Sequence, residues 1–309
     1  MTSLILFNRL NGLKAGELGA LNASLAFYGS HLEDPEIVSS MGNLGPYFDF
    51  CAENRLIARE LGGIQMFIHN IRNNFHGPYS DWAYELVKQS LFALAGGTWN
   101  NGDIAYDQGF IPLAVDLITE HGSQAKIAEE ILQALKAMIY PSDFLRGEWC
   151  DQGLFEALAP VLRSRATDQA AVSLVCEGTM HLIGSTVLRD MNSTPRAIAF
   201  NASIQQKATD AKMLEALLAT TTSEVDLQEF EHQGFSLSLD AIYPMKANCY
   251  HALRVLGKEN PTNRKAMMQA GLSAAILKDW AGLDARARGE ACQLLEELRE
   301  WTAFRSRCV

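Results

Sequence analysis

The stretch ENRLIARELGGI, Glu53 to Ile64, and the stretch TNRKAMMQAGLS, Thr262 to Ser273, say nearly the same thing 209 residues apart. Each runs from a polar residue through Asn-Arg into a short amphipathic run, closes on glycine, and starts a fresh apolar segment. Two more copies lie between them. NGDIAYDQGFIPLAVDLI puts Gly109 where the first phrase has Gly63, and RGEWCDQGLFEALAPVL puts Gly153 there, at intervals of 46 and 44 residues. The 118 residues from Gly153 to Gly271 would hold three shortened units of about 40, within the range of helical-repeat periods. Inside that gap, IQQKATDAKMLEALLA (Ile204 to Ala219) keeps the pattern without its glycine, and Gly234 stands off the regular spacing.

Each phrase follows a helical segment. YELVKQSLFALAGG, AKIAEEILQALKAM, AVSLVCEGTMHLIG and KANCYHALRVLGKE carry apolar or small residues at i, i+3, i+4 and i+7. No run of β-branched residues alternates between turn residues, so strands are not expected. One unit therefore reads as a short helix ending in glycine, a second apolar helix, a loop and a longer third helix. Glycine after the short helix suits a left-handed or close-packed corner, which other residues enter at a cost.

The unit resembles the armadillo repeat. AENRLIARELGGIQMFIHNI matches the family pattern through Asn54, Arg55, Ile57, Gly62, Gly63 and Ile64. HALRVLGKENPTNRKAMMQAGLSAAIL matches through Ala252, Leu253, Leu256, Asn260, Asn263, Arg264 and Gly271. The resemblance covers roughly residues 35–300, and HEAT-type units are the near alternative. It implies an all-α fold, a right-handed α-solenoid superhelix, with residues 1–34 as an N-terminal helical cap continuous with a repeat domain over 35–309. It also implies binding along the concave face lined by third helices. There the family's Asn clamps a peptide backbone, because an amide both donates and accepts. The register places Asn43, Ala93, Ala137, His181 and Val255 at that position, and Ser39, Gln89, Gln133, Glu177 and His251 one turn earlier. Of the Asn ladder only Asn43 is present, and no Trp stands beside it, which argues against an importin-like role.

The same register puts Glu85, Gln89, Glu129, Glu130, Gln133, Glu177 and His181 on or beside one face of successive third helices. Such an acidic, amide-bearing strip would favour a basic or polar segment. A second candidate surface is the loop NIRNNFHGPYSDWAY, Asn70 to Tyr84. Its Phe75, Tyr79 and Trp82 are residue types that anchor interfaces.

The chain's 309 residues are 48% hydrophobic, with a formal charge of −10 from 26 basic and 36 acidic side chains. A general nucleic-acid binder needs clustered Lys and Arg, so nucleic acid is not an expected partner. No window approaches the roughly 18 uncharged residues of a membrane span, and MTSLILFNRLNGLKAG lacks the profile of a secretory signal. The six cysteines never form CxxC and are read as reduced thiols of a cytoplasmic protein, with the nucleus as the alternative compartment. Phosphate-loop, dinucleotide, zincin and nucleophile-elbow patterns are missing. Glu177 and His181 at i, i+4 offer a metal only two ligands. No cofactor, no metal and no catalytic residues are expected.

The function this predicts is a non-catalytic scaffold or adaptor holding a protein partner's segment on the concave face. The alternative is a regulatory binder of a folded signalling or cytoskeletal partner, such as a small GTPase, through a broad surface and the 70–84 loop. A helical-repeat enzyme of the DNA-glycosylase kind fits poorly with the acidic charge.

Overall fold

The computed structural model describes residues 13–14, 16–17, 19–34, 37, 40, 44, 52–74, 101–122, 131, 142–164, 169–183, 195–222, 245–299 and 308. Among these the chain forms fourteen α-helices and one 3-10 turn, and no strand. The all-α expectation holds, and the fold is an α-solenoid. Two compact units are present, Met1–Leu117 with Glu130–Trp149, and Ile118–Glu129 with Cys150–Val309.

The first unit contains α1 (Ala20–Gly29), α2 (Ala52–Glu60), α3 (Gly63–Asn74), α4 (Asn101–Asp107) and the larger parts of α5 (Phe110–His121) and α6 (Asp143–Asp151). Ile64, Phe67, Ile68 and Ile71 on α3 are all buried. They recur at i, i+3, i+4 and i+7, the spacing that makes one apolar stripe on a helix. Phe110 meets Trp149 edge-to-face with ring centroids 6.1 Å apart, the geometry favoured by the aromatic quadrupole.

The second unit contains α7 (Leu154–Ser164), α8 (Gln169–Ile183), α9 (Pro195–Asp210), α10 (Met213–Thr222), α11 (Met245–Gly257), α12 (Pro261–Gln269), α13 (Leu272–Asp279) and α14 (Ala285–Glu297). Equivalent helices stack on one another, α7 on α10 on α13 in one row and α8 on α11 on α14 in another. A repeat that cannot close a core alone buries its apolar stripe against its neighbours in this way.

The corners are where the sequence placed them, with two corrections. Gly109, Gly153 and Gly271 take φ of 73°, 86° and 74°, but in the first phrase the left-handed residue is Gly62, at 77°, and not Gly63. Gly63 opens α3 instead, and a Cβ there would lie 2.8 Å from the Ala58 carbonyl oxygen. The second correction concerns the interval from Gly153 to Gly271. Lys212, at φ 60°, turns the glycine-free copy and stands midway between those glycines. The described helices of this interval therefore form two longer units, not three shortened ones.

The Asn-Arg of the repeated phrase has a structural cause. The last carbonyls of a helix lack intrahelical partners. On α11 they are met by side chains of its neighbours: Gln205 Nε2 donates to Val255 O at 2.7 Å and Lys258 O at 3.0 Å, Asn263 Nδ2 to Leu256 O at 3.0 Å, and Arg264 to Gly257 O at 3.4 Å. Arg264 also pairs with Glu297 on α14 at 2.9 Å. Asn54, the matching residue of the first phrase, is likewise buried.

The expectation of six reduced thiols fails for four of them. Cys176 on α8 is bonded to Cys249 on α11, and Cys292 on α14 to Cys308. Cys150 remains a buried thiol. Sequence spacing hid the first pair because the residues are 73 positions apart, and only the stacking of third helices brings their Cα atoms to 4.9 Å.

Candidate functional site

The row of third helices in the second unit, α8, α11 and α14, carries a continuous set of polar side chains. Each helix is amphipathic, so its apolar stripe fixes which residues remain for the opposite edge. On α11, Cys249, Ala252, Leu253 and Leu256 are buried in the core. This leaves His251 and Arg254 half-buried beside the buried Asn248. On α11 the sequence register gives Val255 as the ladder position and His251 as the residue one turn earlier.

Two lines of contact cross the row. In the first, Asn248 Nδ2 donates to Ser173 Oγ on α8 at 2.9 Å, and Arg286 on α14 donates to Asn248 Oδ1 at 3.1 Å. In the second, Arg254 lies 3.2 Å from His251 Nε2 and 3.3 Å from Glu290 Oε2, and His251 Nδ1 lies 3.2 Å from Glu290 Oε1. A guanidinium only donates. His251 Nε2 therefore accepts from Arg254, and Nδ1 carries the proton given to Glu290. Burial pushes the Glu290 carboxyl upward, but the hydrogen bond from His251 and the attraction of the Arg254 guanidinium outweigh it, leaving the group below its ordinary value.

Of the residues singled out from sequence, Glu177 and His181 are described here. They sit on α8 with carboxylate oxygen and Nε2 3.6 Å apart, both largely shielded from solvent. Asn43, Glu85, Gln89, Glu129, Glu130, Gln133, Phe75, Tyr79 and Trp82 lie outside the described residues. In the described part of the strip Glu177 lies beside His181; further along the row Glu290 is paired with Arg254 and hydrogen-bonded by His251. Sequence reasoning missed Ser173, Asn248, Arg254, Arg286 and Glu290. A signal existed for some of them: Asn248, His251 and Val255 share a helical face at i, i+3 and i+7, and carrying that face onto the last helix leads to Arg286 and Glu290.

The first unit holds a cleft of about 280 Å³ walled by Leu32, Met66, Ile68, His69 and Arg72. Its two basic side chains are already engaged. His69 meets Asn73 at 2.8 Å and Glu33 at 3.5 Å, and Arg72 donates to Gln108 O at 3.1 Å. The row of third helices is the better candidate.

No protein-family model matches the chain, and no curated protein matches it. Solved structures do. An engineered protein from the Northeast Structural Genomics Consortium superposes with a TM-score of 0.65 at 17% identity, covering 91% of this chain and 97% of its own. A designed armadillo repeat protein gives 0.62 at 12% identity, covering 87% and 94%. A second designed armadillo repeat protein, in complex with the peptide (KR)4, gives 0.60 at 13% identity, covering 91% and 99%. Together with the helix order and the left-handed corners, these likenesses show that the chain has an armadillo-like repeat fold.

Proposed function

We propose that the protein is a non-catalytic scaffold that holds a segment of a partner protein along the face made by its third helices. The observation that carries this reading is the polar row across α8, α11 and α14. Eight hydrogen-bonding side chains from three stacked helices share one edge, and a run of donors and acceptors at helix-to-helix spacing suits an extended chain. Support comes also from the fold, since a designed armadillo repeat protein of similar structure is seen with a bound peptide. The test is to capture partners from cell extract with the full chain and measure amide hydrogen exchange of the purified complex. Protection over 169–183, 245–257 and 285–297 is expected. Protection confined to the α7, α10 and α13 row would overturn the reading.

A further inference from the structure

We propose that the seam between α11 and α14 seats an aspartate or glutamate side chain of the bound segment, and that Arg286 is the residue that reads it. This rests on the reading of the third-helix face given above.

Three features of the seam converge on Arg286. It is exposed, and among the described residues no carboxylate lies within ion-pair distance of it. Its acidic neighbours on the chain are committed elsewhere. Asp284 Oδ1 caps α14 by accepting from the Ala287 amide at 2.7 Å. Glu290 stands four residues on, the spacing at which a helical Arg and Glu ordinarily pair, yet it is taken by His251 and Arg254 across the seam.

The guanidinium is also pinned. Asn248 is 4% exposed and anchored through Ser173, and it spends its amide oxygen on Arg286. A buried amide that orients a surface guanidinium, with no carboxylate to neutralise it, leaves the remaining donors of its fork fixed towards solvent. A guanidinium so held matches a carboxylate, which can take two parallel N–H bonds. Position on the helix works in the same direction. Arg286 is the second residue of α14, where the macrodipole disfavours a cation and favours an incoming anion.

The seam therefore selects the opposite charge from the one the acidic strip suggested. Arg254 does not compete for the same carboxylate. It stands six residues beyond Asn248, about 9 Å along α11 at 1.5 Å per residue, and it is already paired with Glu290.

The experiment selects octapeptides from a random displayed library on the full chain. The enriched sequences are then remade with acetylated and amidated ends, so that only side-chain carboxylates remain, and their binding is read by fluorescence anisotropy. One position enriched in Asp or Glu is expected. Changing it to the amide should weaken binding to the wild type about tenfold, a typical loss for a charge-assisted pair. The same change should cost little on Arg286→Gln, because the two substitutions remove one interaction. Arg286→Gln gives up one bond to the buried Asn248 oxygen, so the variant should keep its helical circular dichroism and melt only slightly lower.

Peptides that are basic, or that lose equal affinity on wild type and Arg286→Gln, would overturn the proposal. If such peptides still protect α8, α11 and α14 from exchange, the scaffold reading stands and only the carboxylate seat fails. If no peptide binds, or protection falls on other helices, both fail together.

Discussion

The side chains of Asn263 and Thr209 meet 3.1 Å apart, joining α12 to α9 at the point where both pass the end of α11. Asn263 is 1% exposed, and the same amide nitrogen donates to Leu256 O. Replacing it by alanine leaves the buried Leu256 carbonyl short of a partner, while the half-buried Thr209 hydroxyl keeps its bond to Gln205 O at 2.9 Å. One such loss costs about 1–3 kcal/mol, so Asn263→Ala should destabilise by about that amount. Urea unfolding followed by circular dichroism measures it. Thr209→Val keeps the Leu256 bond and should cost clearly less. Equal losses would mean that the repeated asparagine acts through something other than the helix end.

Lys212 offers the opposite sign. A residue with a Cβ in the left-handed region is strained by roughly 1–2 kcal/mol relative to glycine, and the matching described corners at Gly62, Gly109, Gly153 and Gly271 use glycine there. Lys212→Gly should therefore raise stability by about 0.5–1 kcal/mol, after the extra chain entropy of glycine is subtracted. Gly271→Ala, at φ 74° with open space around its Cβ position, should lower stability by a similar amount. The sign of each change in melting temperature decides the point.

These corners also explain what could be read in advance. Glycine marks a left-handed turn in the sequence, so the repeat showed wherever glycine was used. Lys212 carries no such mark, and the longer units on either side of it were miscounted. Helical periodicity fixed the elements because each third helix buries a stripe against its neighbours. The partners across that stack were not legible. Nothing local ties His251 to Glu290, or Asn248 to Ser173 and Arg286, since the ladder is assembled from segments 38 to 75 residues apart. Cys176 and Cys249 were misread for the same reason.

The Cys176–Cys249 bond closes a loop of 73 residues. By chain-entropy reasoning a loop of that size is worth about 4 kcal/mol. Cys176→Ala with Cys249→Ala should lower stability by up to about that amount. The Cys292–Cys308 loop, at 16 residues, should contribute about 3 kcal/mol. Peptide mapping of protein purified without reductant should recover both linked peptides. Recovery of the four residues as thiols would instead match the expectation of reduced cysteines.

The Glu290 carboxyl gives a pH signature. It is held below its ordinary value in the folded chain, despite burial, by His251 and Arg254. A carboxylate whose folded value is depressed stabilises the fold fully above its unfolded value, and that contribution is lost as the pH falls through the folded one. Glu290→Gln removes the charge while keeping the shape, and should cost about 1–2 kcal/mol near neutral pH, where the carboxylate accepts a charge-assisted bond. The difference between wild type and variant should stay constant above the ordinary carboxylate value of 4.5 and shrink steadily below it. Urea midpoints for both proteins at neutral pH and at several acidic steps measure this directly. A difference that persists unchanged through the acidic range would show that Glu290 supports α14 by packing alone. The ion pair that keeps it from Arg286 would then have no energetic weight.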